Sequence, residues 1–200
     1  MKRSSRNKNP WADHYTRQAK KDNFAARSVY KLQEIQKKHR ILHRGAYILD
    51  LGCAPGSWLQ FAAREVGPEG RLVGVDLTPV AMGLPENAAV IVGDVADLEG
   101  RLVALGQTRF DVVLSDMAPA TTGNRHVDEA RSVRLCEAAL TIADKTLIPG
   151  GSFVCKIFQG NGFKAFADAV KARFDRQTAF RPQSTRKASR EVFVIGLNKK

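Results

Sequence analysis

The sequence is poor in cysteine and has no long apolar run, and both absences narrow the class of protein. The three cysteines, Cys53, Cys136 and Cys155, are far apart along the chain. They form no CxxC pair and no metal-ligand spacing, and an odd number does not suit a disulfide framework, so we expect no metal site and a reducing, cytoplasmic compartment. No segment approaches the roughly 20 apolar residues that cross a bilayer. The basic start of the chain leads into no apolar stretch, so we expect no secretory signal there.

Positive charge, in contrast, is in excess, and the excess lies at the two ends of the chain. The net charge is +12 over 200 residues. Residues 1–44 carry a balance of +10 and residues 176–200 one of +6, whereas residues 45–175 carry −4. If the fold brings the two basic ends together, they form a surface suited to a polyanion. We expect residues 1–9 to be a solvated tail, or a tail that orders only on nucleic acid.

Short apolar runs alternate with helical patterns along the rest of the chain. We predict strands at Tyr47–Leu51, Leu72–Val75, Ala89–Val92, Phe110–Leu114, Ser152–Ile157 and Glu191–Leu197, and Thr178–Phe180 allows another short one. Helices are predicted at Ser57–Val66, Asp128–Leu147 and Phe163–Phe174, and a further helical pattern extends from Phe24 to Arg40. Continuous apolar strands separated by helices indicate an α/β fold, with a mostly parallel sheet covered on both faces. We predict one such domain over residues 23–200, preceded by a basic, partly disordered arm over residues 1–22.

Several polar residues directly follow the predicted strands. They are Asp50 with Gly52, Asp76, Asp94, Asp116 and Lys156. In open parallel sheets, ligands bind at the carboxyl ends of the strands. We therefore expect these residues to surround one binding site.

The loop over residues 50–58 reads Asp-Leu-Gly-Cys-Ala-Pro-Gly-Ser-Trp. It matches neither the dinucleotide fingerprint GxGxxG nor the phosphate-binding P-loop, so a nucleoside without phosphate, such as S-adenosylmethionine, suits it. Asp76 would then accept hydrogen bonds from the ribose hydroxyls, and Asp94 would receive the adenine amino group. The alternative is that both aspartates are turn residues, because aspartate favours strand ends.

Longer segments resemble the FtsJ-type ribosomal RNA 2′-O-methyltransferases, from about Asp13 to Leu197. The matching segments, in order, are Ala26–Ile35, the loop at 50–58, Ser115–Pro119, Pro149–Gly160 and Ser189–Val192. This resemblance implies a Rossmann-like, S-adenosylmethionine-dependent methyltransferase fold with a seven-stranded sheet. It also implies methyl transfer to a ribose 2′-hydroxyl of RNA. The cofactor contacts that it implies, together with the residues above, are Asp50, Gly52, Pro55, Gly56, Trp58, Asp76, Asp94 and Asp116.

The family uses a Lys-Asp-Lys-Glu tetrad, and its motifs match Lys31, Asp116, Lys156 and Glu191. A ribose hydroxyl is a very weak acid, so a catalyst can help by aligning it and by easing the loss of its proton. The resemblance implies that Lys156 is the general base, with the alternative that it is a charged group that steadies a developing alkoxide. Lys31 would be a neighbouring cation, and Asp116 and Glu191 would orient the two amines.

Simpler roles are open for the same residues. Lys31 could be a solvated helical lysine, Asp116 a cap for the following turn, and Glu191 the first residue of an edge strand. Trp58 could serve helix packing alone.

The sequence departs from the family pattern at three positions. Cys53 and Ser57 stand where alanine and glycine are usual, and both are small enough to leave room for the cofactor. Ala120 stands where asparagine is usual, which removes a hydrogen bond near the substrate.

The segment Ser115–Pro119 resembles the branch that acts on the large ribosomal subunit. This likeness implies a uridine in large-subunit RNA as the target, on the assembled particle, and a monomeric enzyme that needs no membrane. Candidate phosphate contacts are Lys20, Lys21, Arg27, Lys37, Lys38, Arg181, Arg186, Lys187 and Arg190. Transfer RNA or a messenger cap is an alternative substrate. A non-catalytic RNA-binding assembly protein would not need the tetrad, and the loop and the basic ends disfavour a nicotinamide-dependent oxidoreductase.

Overall fold

The computed structural model describes residues 10–80, 83–120 and 122–200. The predicted tail over residues 1–9 lies outside the described residues. The helices are α1 (Pro10–Lys21), α2 (Val29–His39), α3 (Ser57–Val66), α4 (Leu98–Ala104), α5 (Arg125–Thr146) and α6 (Phe163–Arg173). The strands are β1 (Tyr47–Leu51), β2 (Arg71–Asp76), β3 (Ala88–Val92), β4 (Phe110–Ser115), β5 (Leu147–Phe158), β6 (Phe174–Phe180) and β7 (Glu191–Lys199).

The strands of the described residues form one seven-stranded sheet in the order β3-β2-β1-β4-β5-β7-β6. The strands from β3 to β5 pair in parallel, whereas β7 lies antiparallel between β5 and β6. The predicted mostly parallel, Rossmann-like α/β sheet is confirmed. The carboxyl ends of β1, β2, β4 and β5 therefore lie along the same edge of the sheet.

Helices cover both faces of the sheet, and alternate strand residues face the two layers. Ile48 and Leu114 pack with the buried residues of α1, α2 and α3. Their neighbours Leu49 and Val113 pack with those of α4, α5 and α6. Because successive side chains of a strand point to opposite faces, a strand buried on both sides must be apolar throughout. This requirement explains the continuous apolar runs of the sequence.

The long helix α5 begins three residues before its predicted start. The side chain of Asn124 accepts hydrogen bonds from the backbone N–H groups of His126 (3.1 Å) and Val127 (3.4 Å). An asparagine at this position satisfies donors that have no partner within the helix, so it fixes where the helix starts. The helix ends at Thr146 rather than Leu147, and the chain is already in β5 when it reaches Pro149.

Residues 10–22, the described part of the predicted arm, contact the rest of the chain closely. The domain boundary that the sequence places after residue 22 stays a prediction. Ala19 of α1 is 2% exposed and belongs to the core under α2 and α3. The hydroxyl of Tyr30 donates to the carboxylate of Asp22 at 2.8 Å, which ties the end of α1 to α2. None of the helices in the described ranges has the length and apolar character needed to cross a membrane.

Candidate active site

Two lysines and two acidic residues from distant parts of the chain meet at the carboxyl edge of the sheet. Lys156 Nζ lies 3.0 Å from Asp116 Oδ1 and donates to the backbone oxygen of Asp116 at 2.6 Å. Lys31 Nζ lies 2.8 Å from Glu191 Oε2 and 3.9 Å from Asp116 Oδ1. The carboxylate of Asp116 is therefore in contact with both ammonium groups.

The strand order places three of these side chains next to one another. Asp116 is the first residue after β4, and its N–H donates to the oxygen of Leu51 at the end of β1 (3.2 Å). Lys156 lies near the end of β5, which pairs with both β4 and β7. Glu191 is the first residue of β7 and pairs with Phe158, the last residue of β5. Because β7 is antiparallel to β5, the first residue of β7 lies beside the end of β5, at the carboxyl edge of the sheet.

Lys31 reaches the same place from α2, and its surroundings are not those of a solvated surface charge. Its side chain is 13% exposed, and its ammonium group lies 5.8 Å from the centre of the Phe193 ring. Burial opposes the ionisation of Glu191, but the charge and hydrogen bond of Lys31 hold the pKa of that carboxyl below its usual value. Two opposite charges are thus held together in a partly enclosed position.

Lys156 is the more enclosed of the two lysines. It is 6% exposed, between buried neighbours in β5. Its hydrogen bond is directed at the backbone oxygen of Asp116, so Asp116 Oδ1 is in ion-pair contact with it but accepts no hydrogen bond from any described residue. An amine fixed in this way can hold or move a proton at one defined point, or stabilise a negatively charged oxygen there.

The glycine loop after β1 approaches the turn after β4 closely. Gly52 has φ +78°, and a Cβ atom there would lie 2.8 Å from Met117 Cγ. Gly56 has φ +106° at the start of α3. Glycine adopts these angles at no steric cost, and at Gly52 any side chain would displace Met117. The exposed Pro55 lies between the two glycines.

Asp50 is a buried carboxylate without a hydrogen-bond partner among the described residues. It is 1% exposed, and both its oxygens are unpaired. Burial raises its pKa well above the usual value, and the carboxylates of Asp116 and Asp76 add to the effect. A positively charged ligand would satisfy this group of acids, because it would offset their mutual repulsion. The sulfonium and amino groups of S-adenosylmethionine have the matching charge.

Asp76 and Asp94 lie at the ends of β2 and β3, as the sequence predicts, and both also bind nearby backbone groups. The carboxylate of Asp76 accepts the N–H of Ala54 at 3.0 Å and that of Thr78 at 2.8 Å. Asp94 is exposed and accepts the N–H of Ala96 at 3.0 Å. These contacts agree with the alternative in which both aspartates are turn residues. Binding of ribose by Asp76 and of adenine by Asp94 stays a prediction. Asp76 in addition links β2 to the glycine loop.

Trp58 and Ser57 join the start of α3 to α2. Trp58 is 3% exposed, and its Nε1 donates to the backbone oxygen of Ser28 at 2.9 Å. The hydroxyl of Ser57 lies 2.9 Å from that of Ser28. These are packing contacts, and a direct contact of Trp58 with the cofactor stays a prediction. They hold α2, and so Lys31, against the cofactor loop.

The two basic ends of the chain meet, because α2 binds the loop between β6 and β7. The carboxylate of Glu34 accepts the N–H groups of Gln183 (2.7 Å) and Ser184 (2.9 Å). Arg27 donates to the oxygen of Ser184 at 2.5 Å. Lys38 Nζ lies 4.5 Å from the centre of the Phe180 ring. The basic residues of α2 and of the β6–β7 loop therefore lie on adjoining segments and together form one basic surface.

The predicted phosphate contacts differ in their exposure to solvent and in the contacts that they make within the protein. The exposed ones are Lys20, Lys21, Lys37, Lys38, Arg181, Arg186 and Lys187. Arg181 also donates to the oxygen of Ser189 at 2.7 Å, so it helps to hold its own loop. Arg27 and Arg190 are half-buried, and their guanidinium groups make contacts within the protein. A role in RNA binding stays a prediction for all of them.

Sequence reasoning missed Glu129 of α5, which contacts the loop that follows β5. Glu129 is 8% exposed, accepts the N–H of Asn161, and lies 3.9 Å from the guanidinium group of Arg190. A Cβ atom at Gly160 would overlap its carboxylate. Glu129 thereby anchors two segments that flank the tetrad. Glu129 and Ser132 are three positions apart in the predicted helix, so they lie on the same helix face. This shared face was the available signal in the sequence.

Replacement of Glu129 by alanine is expected to lower the free energy of unfolding by about 1–3 kcal/mol, because the N–H of Asn161 and the half-buried guanidinium group of Arg190 lose a charged acceptor. Urea unfolding of the purified variant measures this change. Glu137→Ala is the matched control, since Glu137 is exposed on the same helix. Equal unfolding midpoints for the two variants would contradict the anchoring role.

The chain is similar to known methyltransferases over almost its full length. The model of the family described as FtsJ-like methyltransferase matches residues 24–199. Ribosomal RNA large subunit methyltransferase E of Desulforapulum autotrophicum is 55% identical over 199 residues, which cover 99% of this chain and 98% of the relative. The protein of the same name from Desulfatibacillum aliphaticivorans is 52% identical over 200 residues, with 100% and 97% covered.

Solved structures show the same fold at lower identity. The crystal structure of a ribosomal RNA methyltransferase from Plasmodium falciparum matches with a TM-score of 0.79 and 24% identity, and covers 88% of this chain and 98% of that chain. A fibrillarin pre-rRNA processing protein from Methanococcus jannaschii matches with a TM-score of 0.60 and 18% identity, with 80% and 69% covered. With a family match over nearly all described residues and relatives above 50% identity, this chain belongs to the FtsJ-like methyltransferase family.

Proposed function

We propose that the protein transfers a methyl group from S-adenosylmethionine to a ribose 2′-hydroxyl, that of a uridine, in large-subunit ribosomal RNA. The substrate would be the assembled subunit, and the enzyme would act as a cytoplasmic monomer. The observation that carries the proposal is the pair of ammonium groups of Lys31 and Lys156 on one carboxylate, beside the glycine loop. The names of the relatives support the choice of RNA.

The residues around the loop suit the proposed cofactor. When bound, S-adenosylmethionine supplies a methyl group on a positively charged sulfur, which is already a good leaving group. Asp76 would bind the ribose hydroxyls, and Asp94 the adenine amino group. Gly52 and Gly56 let the backbone approach the ligand. The unpaired oxygens of Asp50 lie near two further carboxylates, those of Asp116 and Asp76, where a cation is favoured.

The tetrad would act on the oxygen that receives the methyl group. Asp116 holds the amine of Lys156 through a backbone hydrogen bond and an ion pair, so the amine has one defined position. From there it would, as a neutral amine, take the hydroxyl proton and become an ammonium group, or, as an ammonium group, stabilise the oxygen while the proton leaves to solvent. Glu191 holds Lys31, which would add a second positive charge beside the same oxygen.

The basic surface of α2 and the β6–β7 loop would position the RNA. Its exposed lysines and arginines can neutralise phosphates, and such contacts fix the register without reading sequence. The hydrogen bonds of Glu34 and Arg27 hold this loop against α2. The surface is therefore formed before RNA binds, and the assembled subunit would present the target ribose to it.

The test is to map methylation on large ribosomal subunits from cells that lack this gene. We expect incubation with the purified protein and S-adenosylmethionine to add one 2′-O-methyl nucleoside, identified by mass spectrometry of the digested RNA. Transfer RNA and capped messenger RNA serve as alternative substrates in parallel reactions. Methylation of either of these instead of the subunit, or methylation of a base, would contradict the proposed substrate. Absence of methyl transfer to every RNA would favour a binding protein.

A further inference from the structure

A cavity lined by three arginines lies away from the tetrad and the glycine loop. Its volume is about 770 Å³, and Arg44, Arg64 and Arg71 are among its lining residues. Among the described residues of that lining, Glu86 is the one acidic side chain. The wall of this cavity therefore carries an excess of positive charge.

The three arginines are exposed, and none of them forms an ion pair within the described residues, although Asp22 interacts with Arg64 over a distance longer than 4.0 Å. Among the described residues, no carboxylate oxygen lies within 4.0 Å of their guanidinium nitrogens. The guanidinium group of Arg64 lies 4.5 Å from the centre of the Phe24 ring, which orients it without neutralising it. Unpaired like charges on a concave surface attract anions, and the planar guanidinium group suits the oxygens of phosphate.

The cavity and the tetrad lie at opposite edges of the sheet. Arg71 is the first residue of β2 and pairs with Tyr47, the first residue of β1. The loop with Gly52 begins where β1 ends, and the five residues of β1 rise by about 15 Å at a little over 3 Å each. The cavity is thus too far from the reacting groups to bind the methylated nucleotide itself.

Helix α3 connects the two places. Its first residue, Ser57, contacts α2 beside the tetrad, and Arg64 lies in its last turn. The turn between α1 and α2 lies along α3, because Gln60 accepts the N–H of Ala25 at 3.2 Å and Phe24 lies under Arg64. From Ser57 to Arg64 the axis of α3 rises by about 10 Å, so a nucleic acid that follows α3 away from Ser57 would reach the cavity.

We propose that this cavity binds backbone phosphates of RNA and forms a second contact for the substrate. The proposal rests on the proposed function in that RNA is the partner. The site differs from the basic surface of α2 and the β6–β7 loop, because it lies at the amino edge of the sheet. It would hold RNA that extends beyond the target nucleotide, such as that of a ribosomal particle.

The test compares a double variant of the cavity with a double variant of equal charge elsewhere. Arg44→Gln with Arg71→Gln removes two exposed charges and leaves Arg64 on Phe24, so the fold is retained. Lys171→Gln with Arg109→Gln, at exposed positions outside the cavity, is the control. Binding of a fluorescent large-subunit RNA fragment is measured over a series of salt concentrations. We expect the slope of log affinity against log salt to become shallower by about 2 for the cavity variant alone.

Activity measurements separate this proposal from the proposed function. With saturating large subunits, the cavity variant should keep the wild-type rate and show a raised KM for RNA. If the wild type methylates another RNA, the proposed substrate is wrong, and the same salt series on that RNA still tests the cavity. Wild-type salt dependence in the cavity variant, or an equal change in the control, would overturn the proposal. The proposal would also be overturned if the wild type binds inorganic phosphate saturably and the cavity variant loses that binding while its affinity for RNA is unchanged.

Discussion

Lys156→Ala is expected to lower the rate of methyl transfer by about 10²–10⁴-fold, the range over which a positioned proton-transfer group contributes. The amine of Lys156 is held by Asp116 in a buried position, and the truncated side chain has nothing to replace it. Binding of S-adenosylmethionine should stay close to that of the wild type, because the glycine loop and Asp76 are unchanged. Single-turnover methylation and titration calorimetry measure the two effects.

A second substitution at the same position distinguishes the two roles left open for this lysine. Arginine stays charged at all pH values used for enzymes, so Lys156→Arg cannot act as a base but can stabilise a negatively charged oxygen. If Lys156 is the base, the arginine variant is as inactive as the alanine variant, whereas a purely electrostatic role lets the arginine variant keep part of the rate. Lys171→Ala, at an exposed position of α6, controls for loss of charge. A wild-type rate in Lys156→Ala would remove this residue from the mechanism.

The central part of the fold could be predicted because its sequence patterns are local. The observed bounds of β1 and α3 are those predicted, since a buried strand is continuously apolar and Gly52 and Gly67 limit the two elements. The edge strand β6 was predicted only in part, at Thr178–Phe180. It pairs with β7 alone, and its first half is largely exposed after Phe174, so the apolar pattern that marks a buried strand is absent there.

The two short or weakly buried helices escaped prediction for a related reason. Helix α4 has seven residues and buries only Leu98 and Leu102, which is too few for a clear helical period. Helix α1 has a single residue in the core cluster, Ala19, among the part of the helix whose side chains are described. In α4, tertiary contacts rather than a strong local pattern fix the helix.

The candidate site depends on contacts between residues that no local pattern relates. Lys31 and Glu191 are 160 positions apart and form an ion pair at 2.8 Å. The resemblance to a family placed both residues in one tetrad, whereas their spacing alone could not relate them. Neither the family resemblance nor a local pattern pointed to the arginines of the cavity, because they come from three different segments and match no motif.

Asp76→Ala is expected to weaken the binding of S-adenosylmethionine by about 10- to 100-fold. Hydrogen bonds to a charged group contribute about 1.5–3 kcal/mol, and each 1.4 kcal/mol changes affinity tenfold. The variant also leaves the N–H of Ala54 without its acceptor, which loosens the glycine loop. Titration calorimetry with S-adenosylmethionine measures the loss. Asp175→Ala, at an exposed position of β6, should bind like the wild type.

Asparagine at this position separates the two contributions of Asp76. Asp76→Asn keeps one oxygen that can accept the N–H of Ala54, but replaces the second with an NH2 group, a donor that cannot accept hydrogen bonds from the N–H of Thr78 or from the ribose hydroxyls. If Asp76 acts only by restraining the loop, the asparagine variant binds the cofactor nearly as well as the wild type. If it holds the ribose, the asparagine variant loses most of the affinity that the alanine variant loses. An unchanged dissociation constant in the alanine variant would exclude both roles, because neither the loop restraint nor the ribose contact survives removal of the carboxylate.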